Sequence, residues 1–261
     1  MNAEEYLSRI ATVLSEVSTD IAGLRLLQRR QLLNVPFENL DIHWHRRITI
    51  DLERFYQKIV VERRGGFCYE LNGLFNELLL EFGFETRLLS ARVSDGSGGF
   101  SPEYDHLAIL VMIGEMQYLA DVGFGAFTVE PLQVAADVEQ TDEAGTFVIR
   151  RFDEGYFEVA KMESGEWKSE YIFRPIGHDL AEFAARCDWH QTSPESHFMQ
   201  RKVCSLLTPG GRKTLTDLKY IVTTGDAKVE TPVASEAEFD EILLREFGIV
   251  RRGASVDAVL A

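Results

Sequence analysis

Two apolar runs, "DHLAILVMI" and "MQYLADVGF", stand on either side of Gly114-Glu115. Strand-like runs joined by two such residues read as a tight antiparallel hairpin. With those two residues as the loop, Ile113 faces Met116, Ala108 faces Asp121 and His106 faces Gly123. Facing residues project to the same side, and side-chain direction repeats every second residue. His106 and Asp121 therefore share one face as diagonal neighbours, roughly 7–8 Å apart along the backbone. A slip of one residue would carry Asp121 to the opposite face, so the pairing depends on that turn. A carboxylate inside the apolar "LADVGF" needs a polar partner to offset its desolvation, and His106 is the nearest suitable one. A purely structural His-Asp pair would satisfy the same need.

Around this hairpin the chain changes character twice. In "YELNGLFNELLLEFGF", Leu71, Leu74, Phe75, Leu78, Leu79 and Phe82 fall at helical spacing, and Gly83 is placed to end that helix. The first eighty or so residues read as helical throughout. Short strand-like runs follow: "TRLLSARVS", the hairpin itself, "TFVIRRF", "YFEVAKM" and "SEYIFRPI", separated by Gly, Asp, Glu and Ser. From about residue 179 the pattern is helical again ("DLAEFAARCDW"), and a mixed segment closes with a helix at "SEAEFDEILLREFG". Helices, then antiparallel strands, then a mixed segment point to an α+β fold rather than alternating βαβ units.

One cysteine has an unusual address. "VERRGGFCYELN" sets Cys68 after Arg-Gly-Gly at the first turn of the apolar helix. The glycines allow a sharp turn and close backbone approach. The unpaired N–H groups and dipole of a helix start favour a thiolate, and Arg63 and Arg64 stand near enough in sequence to add to this. Taken alone, Cys68 is equally compatible with a small buried hydrophobe at a helix start. Taken with His106 and Asp121 it completes a set: a thiol nucleophile, an imidazole to take its proton and a carboxylate to orient the imidazole.

The segments "RRGGFCYELN", "DHLAILV" and "YLADVGFG" resemble those that carry the catalytic residues of the arylamine N-acetyltransferase family. "VPFENLDIHW" (35–44), "SPESHF" (193–198) and "TPGGRKTL" (208–215) resemble further family segments in the same order, so the likeness spans nearly the whole chain. It implies three parts: an N-terminal helical bundle over 1–83, a central antiparallel β-barrel over 84–190 and a C-terminal α/β lid over 191–261. The first two would share a papain- and transglutaminase-like Cys-His-Asp core. It implies Cys68 as nucleophile, His106 as base and Asp121 as the residue orienting His106. The implied reaction is ping-pong, with acetyl-CoA as co-substrate and an arylamine, arylhydrazine or N-hydroxyarylamine as acceptor. An acyltransferase or amide synthase using a longer acyl donor is the alternative within the same fold. Phe37, Phe124 and Phe198 match positions whose rings line the acceptor site. For coenzyme A the resemblance offers Ser97, Gly98 and Gly99 in "SDGSGGFSP", where successive N–H groups can cradle phosphate, or Arg212 and Lys213 in "TPGGRKT".

Composition narrows the partners. A formal net charge of -15 argues against nucleic acid and anionic membrane surfaces, which call for a basic face. Three widely spaced cysteines form no disulfide framework, and with no leader-like N-terminus they fit the cytoplasm. "HWH" (His43, His45) would put two imidazoles on one face of a strand, and "CDWH" offers Cys187 and His190. Neither has a second pair at zinc-site spacing, so no metal is expected. Cys187 and Cys204 read as core residues. The acidic surface favours solubility without fixing an oligomeric state.

Overall fold

The computed structural model describes residues 1–251; the last ten residues of the expected 191–261 part lie outside the described residues. The N-terminal part holds α1 (Ala3–Arg9), α2 (Ile21–Asn34), a two-residue strand β1 (Phe37–Glu38), α3 (Leu40–His43), α4 (Leu52–Tyr56) and α5 (Cys68–Glu81). Helix α5 is the axis of this part. Its stripe of Leu71, Leu74, Phe75, Leu78 and Leu79 is wholly buried. The helix ends where the sequence places its stop: Gly83 adopts a left-handed φ of 79°, and the N–H groups of Gly83 and Phe84 close on the carbonyls of Leu80 and Leu79.

The middle of the chain supplies β2 (Glu85–Val93), β3 (His106–Ile113), β4 (Met116–Ala120), β5 (Leu132–Gln133), β6 (Glu139–Asp142), β7 (Gly145–Arg151), β8 (Phe157–Glu163) and β9 (Glu166–Phe173). They form an antiparallel, nearly closed barrel in the order β5-β4-β3-β2-β9-β8-β7-β6. The β3–β4 hairpin pairs Ile113 with Met116 and continues in step to Ile109 with Ala120, the register read from the Gly114-Glu115 spacer. Strand β3 is buried on both faces. Leu107, Ile109 and Val111 pack on the helices, while Ala108 and Leu110 fill the barrel. This double burial explains its unbroken apolar run.

The remainder is α6 (Ala184–Thr192), α7 (His197–Gln200), strands β10 (Val203–Thr208), β11 (Gly211–Thr216), β12 (Lys219–Thr224) and β13 (Ala227–Pro232), and α8 (Glu236–Phe247). The parts interlock. β1, from the helical part, is the first strand of the C-terminal sheet β1-β10-β11-β12-β13. Next to it Asn39 donates to the carbonyls of Phe198 and Arg201 and accepts from the Val203 N–H. Phe183 and Cys187, just beyond the barrel strands, complete the helical core. A boundary at 83 falls just past the end of α5, whereas one at 190 falls inside α6, and both cut through shared packing. The "HWH" segment is not a strand: His43 ends α3, Trp44 follows as its cap, and His45 takes a positive φ.

A buried ionic cluster ties α5 to the segment before it. The Lys58 ammonium lies 2.9 Å from Glu70, 3.0 Å from Asp41 and 3.6 Å from Glu38. Arg64 contacts Glu38 at 2.6 Å and Asp41 at 2.5 Å. Three carboxylates thus meet two cations out of water. Burial opposes the Arg64 charge, but the pull of Glu38 and Asp41 prevails and holds it more firmly than usual. This corrects the expectation that Arg64 would act on Cys68. The residue is spent inside the cluster, and Arg63 is exposed. Replacing Lys58 with Met should leave carboxylates uncompensated in the interior and lower stability by about 3–5 kcal/mol. Urea unfolding measures this; a loss below about 1 kcal/mol would show that the cluster does not hold the fold.

Candidate active site

The start of α5, the start of β3 and the end of β4 meet beside one cavity. The helix begins at Cys68, and the Glu70 carboxylate, three residues on from Phe67, accepts the Phe67 N–H at 3.1 Å. Glu70 is thus held from one side by Lys58 and from the other by the chain it caps. His106 is buried at the first position of β3, and its Nε2 lies 2.7 Å from Oδ2 of Asp121. The expected His106–Asp121 contact is therefore present.

Asp121 is 1% exposed, and its carboxylate is fully partnered. Oδ2 also accepts the Tyr171 hydroxyl at 3.1 Å. Oδ1 accepts Asn72 Nδ2 and the Gly123 N–H, both at 2.9 Å. Asn72 further donates to the Leu107 carbonyl at 2.6 Å and accepts the Val122 N–H at 2.9 Å. Four donors on one buried carboxylate keep it ready to accept from the imidazole without leaving a lone pair unmatched.

Cys68 is 3% exposed. Burial first, then the neighbouring Cys187 and Asp105, push its thiol well above the ordinary value, opposed by a hydrogen bond from the Leu107 N–H. The helix start alone does not make this thiol acidic. A thiolate here needs a cation beside it, and His106 lines the same cavity. Nε2 of His106 is engaged by Asp121, which leaves Nδ1 as the other nitrogen of the ring.

The cavity encloses about 450 Å³ and is lined by Cys68, His106, Phe37, Phe124 and Phe198, among others. The three phenylalanines singled out in the sequence thus come together from β1, the segment after β4, and α7. Phe37 and Phe198 stand 6.0 Å apart between centroids. Phe124 meets the His106 ring edge-on at 5.0 Å and the Tyr171 ring at 5.0 Å. Such apolar, aromatic walls suit a flat ligand.

The phosphate expectations fare differently. In the 94–100 loop the Asp95 carboxylate accepts the N–H groups of Ser97 and Gly99 at 2.7 and 2.9 Å, and the Ser97 hydroxyl at 2.8 Å. Of the cradle expected at Ser97, Gly98 and Gly99, the N–H groups of Ser97 and Gly99 are thus taken by the chain's own anion. Arg212 and Lys213 do not line the Cys68 cavity. Lys213 turns to the Glu246 carbonyl on α8, while Arg212 donates to Ser205 and borders a separate cavity. Among the described residues no group of His, Cys, Asp and Glu is arranged to hold a metal ion, and no helix is long and apolar enough to cross a membrane.

Sequence reasoning missed Tyr171, Gly123, and a second polar group on the cavity wall. Asp105, directly before His106, receives Arg186 Nε at 2.6 Å and lies 3.1 Å from His190 Nε2. Burial opposes its charge, but His190, Ser101 and Arg186 prevail and hold the carboxyl at about 2. Nothing local to 104–106 announces partners some eighty residues away.

Two measurements follow. A folded value depressed to about 2 means that the Asp105 contribution is complete above the ordinary carboxylate value of ~3.9 and fades as pH falls towards 2. Asp105→Asn should therefore cost about 2 kcal/mol at pH 6 and much less near pH 2, by urea titration at both pH values; an equal loss at both would refute the assignment. A methyl group on Gly123 would stand 2.8 Å from Cys68 Cα and 2.7 Å from Asn72 Nδ2. Gly123→Ala should thus displace the thiol and slow its alkylation at least roughly tenfold while the protein stays folded.

Comparison with known proteins agrees with this geometry. A family model described as N-acetyltransferase matches residues 20–255. The arylamine N-acetyltransferase of Escherichia coli (strain K12) is 31% identical over 92% of this chain and 88% of its own. The solved arylamine N-acetyltransferase of Salmonella typhimurium superposes with a TM-score of 0.90 at 28% identity, covering 99% of this chain and 96% of that one. The Mycobacterium marinum arylamine N-acetyltransferase, solved in complex with CoA, superposes with a TM-score of 0.85 at 25% identity over 95% and 93%. With a family match over nearly its full length and relatives of this similarity, the chain belongs to the arylamine N-acetyltransferase family of acyltransferases.

Proposed function

We propose that this enzyme transfers an acetyl group from acetyl-CoA to arylamines, arylhydrazines or N-hydroxyarylamines through an acetyl-Cys68 intermediate. The observation that carries the reading is that Cys68 and His106 line one aromatic cavity, with His106 Nε2 bonded to Asp121. The solved relative that holds CoA supports the choice of donor.

In this reading His106 Nδ1 takes the Cys68 proton, and the thiolate attacks the thioester carbonyl. The Cys68 N–H, at the helix start and without an intrahelical acceptor, steadies the oxyanion. The coenzyme A thiolate leaves and takes the proton back from His106, departing as the free thiol and restoring the neutral imidazole. The amine then attacks the acetyl-cysteine, His106 accepts the amine proton, and the Cys68 thiolate is expelled and reprotonated. Exchanging one thioester for another costs little, and an aromatic amine of low basicity is unprotonated and nucleophilic at neutral pH. Asp121 fixes the imidazole tautomer and steadies its cation. Phe37, Phe124 and Phe198 form the acceptor walls, and the part from residue 191 onwards acts as the lid.

Intact-mass measurement after incubation with acetyl-CoA alone tests this. One acetyl adduct on the wild-type protein, absent from Cys68→Ala and discharged by an arylamine, is the expected result. No adduct, while iodoacetamide still labels Cys68, would reject acetyl-CoA as donor and turn attention to longer acyl chains. The pH dependence has a definite sign. Because burial raises the thiol, His106→Ala should label at least roughly 100-fold more slowly at pH 7 and recover only in alkali. Unchanged labelling at pH 7 would remove His106 as the base.

A further inference from the structure

The wall formed by α6 carries an unusual charge arrangement. The Arg186 guanidinium lies over the Trp189 ring, with Cζ 3.6 Å from the centroid. Its Nε and Nη2 reach the same oxygen, Asp105 Oδ1, at 2.6 and 2.5 Å. His190 Nε2 stands 3.1 Å from that oxygen as well. The pair is well shielded from water, with side-chain exposures of 17% for Arg186 and 12% for Asp105. Among the described residues Arg186 is the one lysine or arginine on the cavity lining, and Asp95 and Glu195 are the remaining carboxylates there.

An aromatic amine bearing a carboxylate would normally find in such an arginine a two-pronged, charge-matched partner. Here that role is already taken by Asp105. The ligand would meet an arginine already matched by Asp105 and, beside the imidazoles of His106, His190 and His197, the further carboxylates of Asp95 and Glu195.

We infer that Asp105 is a specificity-determining residue: by occupying Arg186 it sets the cavity against anionic aromatic amines and in favour of uncharged arylamines and arylhydrazines. The inference rests on the proposed acceptor class, but charge preference can be read without any transfer. In a site of this burial one unit charge changes the affinity for a singly charged ligand by roughly five- to tenfold. Asn at 105 keeps the shape and a carbonyl acceptor for Arg186 while removing the charge. Gln at 186 does the reverse and leaves Asp105 unmatched.

The test uses two isosteres, 4-aminobenzoate and 4-aminobenzamide. Binding is read as protection of Cys68 from iodoacetamide, and turnover as kcat/KM with acetyl-CoA. The quantity compared is the benzoate-to-benzamide ratio, in which any general damage to the site cancels. Asp105→Asn should raise the ratio roughly five- to tenfold and Arg186→Gln should lower it at least threefold. Asp105→Glu, which retains the charge, should keep the wild-type ratio even if both rates fall. Ratios that stay within twofold in both variants, or move in the same direction, would overturn the assignment, as would protection by neither amine. Charge-dependent protection in a wild-type protein that transfers no acetyl group would leave this inference standing and reject the proposed function.

Discussion

The carboxylate of Asp121 is the constraint around which the rest of the site is arranged. It is sealed from water, so each lone pair must be met by a donor, and its partners come from distant segments. His106 opens β3, Tyr171 stands on β9, Asn72 is one turn into α5, and Gly123 follows β4. None of these segments can shift without stranding a buried charge. The carboxylate therefore orients an imidazole and also registers helix against barrel. The ionic cluster of Lys58, Arg64, Glu38, Asp41 and Glu70 works from the other end of the same helix turn. Between the two, the backbone of Cys68 is held from both sides. Neither is a strong argument for stability on its own, since desolvation offsets much of the attraction. Their weight lies in fixing positions.

Much of this was legible in the sequence where periodicity and turn chemistry act locally. The two-residue spacer at Gly114-Glu115 set the hairpin register, and that register alone placed His106 beside Asp121. The apolar stripe and Gly83 bounded α5. In the structure Glu38, Asn39, Glu70 and Asn72 in these same segments each hold backbone or a buried charge. Phe37, Phe124 and Phe198 were found through likeness to family segments, because an aromatic residue looks the same in a core and in a pocket.

What failed, failed for physical reasons. The glycine- and serine-rich loop suggested free N–H groups, but an aspartate two residues before a serine competes for them, and Asp95 does so. Arg64 looked like an activator of Cys68 because sequence distance is short, whereas its guanidinium runs to Glu38 and Asp41. Tyr171, Arg186 and His190 were invisible for the opposite reason. Their partners are contributed by tertiary packing across the barrel and α6, and no local pattern encodes such pairings.

The small strand β1 has a consequence for how the molecule is made. Phe37 reaches its place through pairing with β10 and through Asn39, whose partner Val203 lies 164 residues further along the chain. Helix α5 and the barrel hairpin are complete long before that segment leaves the ribosome. A nascent chain therefore passes through a stage in which Cys68 and its neighbours have formed but the wall of Phe37 and Phe198 has not. Closure of the reaction chamber is a late event in synthesis, governed by contacts of high sequence separation and so by the slow part of folding. Cys68 gains its Phe37 and Phe198 walls only once the C-terminal sheet has claimed its first strand.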